Sequence, residues 1–238
     1  MMQSMGFQAL ASTSAGFAWS TGRPDYAVGP DDVVAHLTEL CAAVDLPVNA
    51  DFESGFAAEP SGVAANVGRA ITAGVAGLSI EDRRIDDPGK LYDLPIALER
   101  LAAAKAAIRQ SGHDVLLVAR TEGLLLDPAN VAQAIDRLVA FAEAGADCLY
   151  APGIRKQADI AAMIRAVAPR PVNVLVFGPE LSMAELAELG VRRISVGGSL
   201  GRSAWGGFMK AAKEMAEKGT FTELASGYPG GELNKMFG

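Results

Sequence analysis

The chain has 238 residues, half of them hydrophobic, enough for one sizeable core and a common length for a single α/β barrel domain. Its 21 basic and 28 acidic side chains leave a net charge of −7 with no run of Lys or Arg, which argues against nucleic acid or an anionic membrane surface as a partner. Cys41 and Cys148 have no metal or redox spacing and read as reduced core residues, no apolar run is long enough to span a bilayer, and the start lacks the features of a signal peptide, so a cytoplasmic protein is expected.

In chain order, Met1 to Met5 read as the tail of a helix, and a first strand is predicted over residues 7–13. Pro30 then opens a helix at its first turn, where a missing N–H costs nothing, and Val33, Leu37 and Leu40 give it an apolar stripe. Strands follow over residues 47–51 and 76–81, the second after a turn at Gly74. Residues 95–111 place Leu98, Leu101 and Ile108 on one helical face, and Gly112 closes that helix. A strand over 114–120 leads to a helix carrying Val131, Ile135, Leu138 and Ala142 on one face, closed by Gly145. Further strands are predicted over 147–151, 172–177 and, after Gly190, 192–196. Strands joined by single helices must run parallel, because the crossover returns the chain to the same end of the sheet. The expected fold is therefore a parallel (β/α)8 TIM-type barrel with seven strands visible, forming one domain over residues 1–238. The first strand and most of the first helix of such a barrel are not evident at the N-terminus. An open doubly wound sheet is the alternative, and no Gly-rich dinucleotide turn supports it.

A parallel barrel carries its chemistry at the C-terminal strand ends. There, Asp51 closes one strand, with Glu53 two residues on, and Glu81 closes the next. If the strand stays extended, Asp51 and Glu53 point to one side. Neighbouring strands lie about 5 Å apart, so the Asp51 and Glu81 carboxylates can converge, and a cation would relieve their repulsion. Oxygen ligands without His or Cys favour Mg²⁺ or Mn²⁺ over zinc. The competing reading pairs these acids with Arg83 and Arg84. Arg120 ends the following strand, where its planar fork suits a substrate carboxylate, or else pairs with Glu122 or Glu81. Asn173 can donate to a substrate oxygen or serve as a loop amide. The small residues Ser12, Thr13, Ser14, Ala15 and Gly16 leave backbone N–H groups open to an anion. His36 lies on a helix and His113 before a strand, so neither suits a catalytic dyad or zinc. No Lys ends a strand, which disfavours Schiff-base chemistry. Trp19 and Trp205 read as packing or pocket wall.

Taken in order, these segments resemble the isocitrate lyase/phosphoenolpyruvate mutase superfamily over nearly the whole chain. Thr13-Ser14-Ala15-Gly16 with Gly22-Arg23-Pro24-Asp25 resembles its first substrate loop. Asp51-Phe52-Glu53-Ser54-Gly55 resembles its Asp-x-Asp-x-Gly metal motif, with Glu53 in place of the second Asp. Ser79-Ile80-Glu81-Asp82 resembles its Glu-Asp motif, and Val118-Ala119-Arg120-Thr121 and Pro171-Val172-Asn173 resemble two further substrate strands. The resemblance implies Mg²⁺ at Asp51 and Glu81, with Glu53 and Asp25 contributing through water. It also implies a 2-oxo acid held by Arg120 and the backbone near Ser14 and Ala15. The family's chemistry makes or breaks a C–C or C–P bond next to a carbonyl through a metal-stabilised enolate. Residues Arg83 to Lys90 carry neither the lyases' Lys-Lys-Cys-Gly-His loop nor the mutases' Thr-Asn pair, and the family's first strand is not in this sequence.

The expectation is a Mg²⁺-dependent lyase-, decarboxylase- or hydrolase-like enzyme acting on a small 2-oxo carboxylate. It uses catalytic Arg120 and Asp25, substrate contacts at Ser14, Ala15, Gly16, Arg120 and Asn173, and metal ligands Asp51, Glu53 and Glu81. One alternative is a metal-free phosphate-handling barrel using residues Ser195 to Leu200. Another is a non-catalytic or truncated barrel that binds an oxo acid. A homodimer or homotetramer is implied, with helices over residues 203–238 available for its contacts.

Overall fold

The computed structural model describes residues 1–237. The stretch from Gln8 to Gly197 forms one compact unit, and Met1 to Phe7 with the residues from Gly198 onward form another.

The larger unit is an α/β TIM-type barrel of seven parallel strands: β1 (Leu10–Ala11), β2 (Val48–Asp51), β3 (Gly77–Glu81), β4 (Leu116–Arg120), β5 (Cys148–Tyr150), β6 (Val172–Leu175) and β7 (Arg193–Ser195). Each pairs in parallel with the next in sequence, so β1 and β7 are the two edges. Every predicted strand is present, shorter than predicted by one or two residues, and by five at β1. Between the strands lie α1 (Ser14–Ser20), α2 (Pro30–Ala42), α3 (Pro60–Thr72), α4 (Leu94–Ser111), α5 (Gly123–Leu126), α6 (Val131–Glu143), α7 (Gln157–Val167) and α8 (Met183–Glu188). Pro30 and Pro60 sit in the first turns of their helices. Gly74, Gly112, Gly145 and Gly190 all have positive φ after helix ends, the conformation that glycine adopts without a Cβ clash.

Alternation along the strands sorts the side chains into two layers. Outward residues such as Ala50, Leu78, Ile80, Leu117, Leu149 and Val174 join Val63, Val67, Leu101, Leu138 and Phe141 of the helices in the main core. Inward residues form a small separate cluster of Val118, Cys148 and Tyr150 with Leu175. The barrel's interior is otherwise polar: Arg193 donates to Asn49 at 3.0 Å, and Asn173 donates to Ser195 at 2.9 Å. This polar interior brings the inward strand ends, Asp51, Glu81, Arg120 and Tyr150, into one space.

In the smaller unit, α9 (Ser199–Lys218) is followed by a 3-10 turn (Thr222–Ser226) and α10 (Gly230–Phe237). Lys210 pairs with Glu223 at 2.8 Å, and Glu214 accepts from the Thr220 hydroxyl and the Glu223 N–H. None of the residues of α9 is buried. Among the described residues no helix is long and apolar enough to cross a membrane.

Candidate active site

Arg120 is the centre of the strand-end cluster. Its Nε lies 2.6 Å from Glu122 Oε1 and 3.2 Å from Glu81 Oε2, and its NH1 lies 3.1 Å from Asp51 Oδ1. The pairing follows from the sheet register. Glu81 sits directly opposite Arg120 on the neighbouring strand, while Asp51 pairs with Ser79, one inward position lower. The alternative of ion pairs from Asp51 and Glu81 to Arg83 and Arg84 is not what forms. Arg84 instead takes Asp86 at 2.5 Å, and Arg83 approaches Glu122 at 4.0 Å. The Arg120 guanidinium also lies 5.3 Å from the centre of the Tyr150 ring. Burial pushes the Tyr150 hydroxyl up to about 12, so it stays protonated as a neutral wall of the site.

The remaining expected site residues surround this cluster. At α1, the Ser14 N–H donates to Asp51 Oδ2 at 2.9 Å, and the Gly16 N–H donates to the Thr13 hydroxyl that caps the helix. Asp51 is thus fixed from both sides, and of the Ser14–Gly16 N–H groups that of Ala15 is the one not engaged in this way. Asp25 lies in the loop before α2, and its carboxyl is raised by partial burial and by the nearby Asp51 carboxylate, against a hydrogen bond with Ser14. Asn173 is fully buried, and its Oδ1 has no hydrogen-bond partner among the described residues.

Glu53 departs from the expected extended geometry. Strand β2 ends at Asp51, and Glu53 turns to φ 48°, in the left-handed region. The turn is held from behind by Arg100 of α4, which is buried, stacks on Tyr92 and donates to the carbonyls of Ser54, Ala57 and Ala58. Gly55, at φ +75°, packs so tightly that a Cβ there would lie 3.0 Å from Val63. Glu53 still joins the site electrostatically. Burial first, then the charges of Asp51 and Asp25, push its carboxyl up to about 8. Glu81 is likewise held well above the ordinary range, by burial and by Glu122, Asp51 and Glu53, in spite of Arg120.

Raised carboxyl values at Asp25, Glu53 and Glu81 have one physical meaning. Burial disfavours the charged form at all three, and neighbouring carboxylates add to it against the pull of Arg120, so the site favours a bound proton or an added cation. Among the described residues no group of three or more His, Cys, Asp or Glu side chains is arranged to hold a metal ion unaided. Mg²⁺ keeps several waters and binds through one or two carboxylates, so it does not require such a group. Glu81 Oε1, buried and without a hydrogen-bond partner among the described residues, is a spare acceptor for such an ion or its water.

Three participants were less visible in the sequence. Glu122, fully buried, was evident only as a possible partner of Arg120, and its position two residues further on was the signal. Tyr26, next to Asp25, has φ 63° and donates its hydroxyl toward Glu122 Oε2 at 3.4 Å. Asp82, the second acid of the Glu-Asp pair, works as a brace. It accepts from the Glu122 N–H at 2.9 Å and is gripped by Arg137 of α6 at 2.7 Å, while Arg137 also donates to the Tyr92 carbonyl at 2.8 Å.

Comparison with known proteins identifies the family. The family model described as Phosphoenolpyruvate phosphomutase matches residues 1–216. An uncharacterized Mycobacterium tuberculosis protein is 34% identical over 194 residues, covering 81% of this chain and 70% of that protein. The 2-methylisocitrate lyase of Escherichia coli is 32% identical over 187 residues, covering 75% of this chain and 62% of the enzyme. The crystal structure of a Burkholderia cenocepacia J2315 protein with a provisional lyase/mutase assignment superposes with a TM-score of 0.95 at 45% identity, covering 99% of this chain and 86% of that one. The chain belongs to the phosphoenolpyruvate phosphomutase family, within the isocitrate lyase/phosphoenolpyruvate mutase superfamily that its motifs resemble.

The brace generates a stability prediction. Arg137→Ala leaves the buried Asp82 carboxylate with the Glu122 N–H but without its charged partner, a change that typically costs about 3–5 kcal/mol. Calorimetry is expected to show the melting temperature falling by on the order of 10 °C. An unchanged melting temperature would mean that Asp82 does not depend on Arg137.

Proposed function

We propose that this chain is a lyase-type enzyme that requires Mg²⁺, with Mn²⁺ as a substitute, and cleaves a C–C bond next to the carbonyl of a small 2-oxo carboxylate. The observation that carries the reading is the Arg120 cluster: one guanidinium among Asp51, Glu81 and Glu122, with the raised carboxyls of Asp25 and Glu53 alongside. Family membership supports the same class, since a relative is a 2-methylisocitrate lyase. Residues Arg83 to Lys90 carry neither the mutase-type Thr-Asn pair nor the lyases' Lys-Lys-Cys-Gly-His loop, so the preference for C–C over C–P chemistry rests on the lyase relative.

In this reading Asp51 and Glu81 hold the ion, with Glu53 and Asp25 acting through water. A bound Mg²⁺ supplies Lewis-acid stabilisation for the negative charge that develops on the 2-oxo oxygen. Arg120 spends Nε and NH1 on protein carboxylates and turns its remaining donors to the substrate carboxylate. The Ala15 N–H, flanked by Ser14 and Gly16, adds a donor to the same group, and Asn173, in register with Tyr150, offers the second N–H of its Nδ2 to a substrate oxygen. Asp25, beside Ser14 and Asp51, orients water and completes the catalytic pair with Arg120. Tyr150 excludes water from one face of the guanidinium. Turnover of a panel of 2-oxo mono- and dicarboxylates with Mg²⁺ tests the reading. At least one is expected to be cleaved, and Arg120→Ala is expected to lower kcat/KM by a factor on the order of a hundred, as loss of a charged hydrogen-bonding partner implies. Absence of turnover across the panel, or an unaffected Arg120→Ala, contradicts it.

The same reading includes self-association. Helix α9 carries Trp205, Phe208, Met209 and Met215 exposed, at spacings that put them on one face with Ala212. A helix of 20 residues with none buried is stabilised by packing against a second copy. Sedimentation velocity is expected to give a dimer or tetramer for the native chain and a smaller species for Phe208→Glu. A native monomer rules out this part.

A further inference from the structure

We propose that Arg83 is a specificity-determining residue, whose guanidinium at the mouth of the site grips a second carboxylate on the substrate. The inference rests on the function proposed above and narrows its substrate class to 2-oxo dicarboxylates.

Arg83 follows the Glu-Asp pair at the end of β3, and its position is built rather than incidental. Its backbone bridges to Leu91, and Asp82 accepts from the Tyr92 N–H, so the loop closes on itself. The Arg83 Nε donates to the Pro88 carbonyl at 2.7 Å. The guanidinium carbon lies 4.6 Å from the centre of the Tyr26 ring, within the range of a cation–π contact. Tyr26 makes this platform from a left-handed backbone conformation, φ 63°, that a bulky residue rarely adopts and that the surrounding structure must sustain.

From this perch Arg83 looks inward. Its NH1 is 4.0 Å from Glu122 Oε2, while Arg120 holds the other oxygen, Oε1, at 2.6 Å. Two guanidiniums therefore flank a single carboxylate, with Arg120 on the deep side and Arg83 on the side that reaches solvent. A separation of 4.0 Å is too long for a hydrogen bond, and Glu122 is already paired to Arg120, so Arg83 is not committed to it. The Arg83 side chain remains 23% exposed, against 12% for Arg120. A planar fork that is preorganised by an aromatic face and a carbonyl, and that keeps donors toward solvent, suits a carboxylate arriving from outside. With one substrate carboxylate at Arg120, the group that reaches Arg83 lies at the far end of the same small molecule. Two carboxylates on one short chain meet that requirement, and a monocarboxylate leaves Arg83 unused.

Oxaloacetate and pyruvate are suitable probes, since both are 2-oxo acids and only the first has a distal carboxylate. Affinities for each are measured by calorimetry on the full chain with Mg²⁺, for the native protein, Arg83→Gln and Arg83→Lys. The oxaloacetate-to-pyruvate affinity ratio is expected to fall roughly tenfold to a hundredfold in Arg83→Gln, with Arg83→Lys intermediate, because a charged hydrogen bond is lost toward only one of the two acids. Thermal melts of the variants check that both are folded, and the Lys variant retains the test if the Gln variant is not. A ratio unchanged within twofold overturns the role of Arg83 while leaving the parent reading intact. A native protein that binds neither acid overturns both.

Discussion

One largely enclosed guanidinium, that of Arg120, has to serve carboxylates delivered by three separate segments: Asp51 at the end of β2, Glu81 at the end of β3 and Glu122 just past β4. Breaking such an arrangement by removing one partner strands a buried charge, so each segment depends on the others for its position. The dependence extends outward. Asp51 is tied to the start of α1 through the Ser14 N–H, Glu122 to Asp82 through its own N–H, and Asp82 to α6 through Arg137. The strand ends are thus held by a chain of alternating charges that reaches from the barrel's interior to its outer helices.

That chain is incomplete in one respect, and the shortfall bears on function. Unit charges about 4 Å apart interact by roughly 1 kcal/mol in water and several times more where solvent is partly excluded. Asp25 and Glu53 add carboxyls beside Asp51 without adding a cation, and burial first, then the neighbouring carboxylate charges, raise both. A fold built only for stability would gain from neutral side chains at these positions. A site that receives a hydrated divalent ion and an anionic substrate gains from keeping them.

Much of the fold was legible because its signals are local. Most strands are short apolar runs, and several helices are closed by a glycine, Gly74, Gly112, Gly145 or Gly190, that takes the left-handed turn. The strand-end residues were legible for the same reason: once the strands are placed, Asp51, Glu81 and Arg120 must close them. What the acids would pair with was not legible. Arg83 and Arg84 were possible partners for Asp51 and Glu81, and Arg120 for Glu81 or Glu122, and only the register, with Glu81 opposite Arg120, decides between them. The turn at Glu53 was hidden because an acidic residue at positive φ has no local signature, and what holds the turn is Arg100, 47 positions further along the chain. Tyr26 was missed for a similar reason, since its role comes from Arg83 and Glu122, both distant in sequence.

The central claim is that the acids around Arg120 exceed what it can neutralise and so hold a divalent cation. Electron paramagnetic resonance of Mn²⁺ titrated into the protein reads this directly, because free aqueous Mn²⁺ gives a sharp spectrum that is lost on binding. The native chain is expected to remove one equivalent of the free signal, Mg²⁺ to restore it by competition, and Asp51→Ala to leave it undiminished. Equal Mn²⁺ uptake by the native chain and Asp51→Ala, or no uptake by either, would contradict the account.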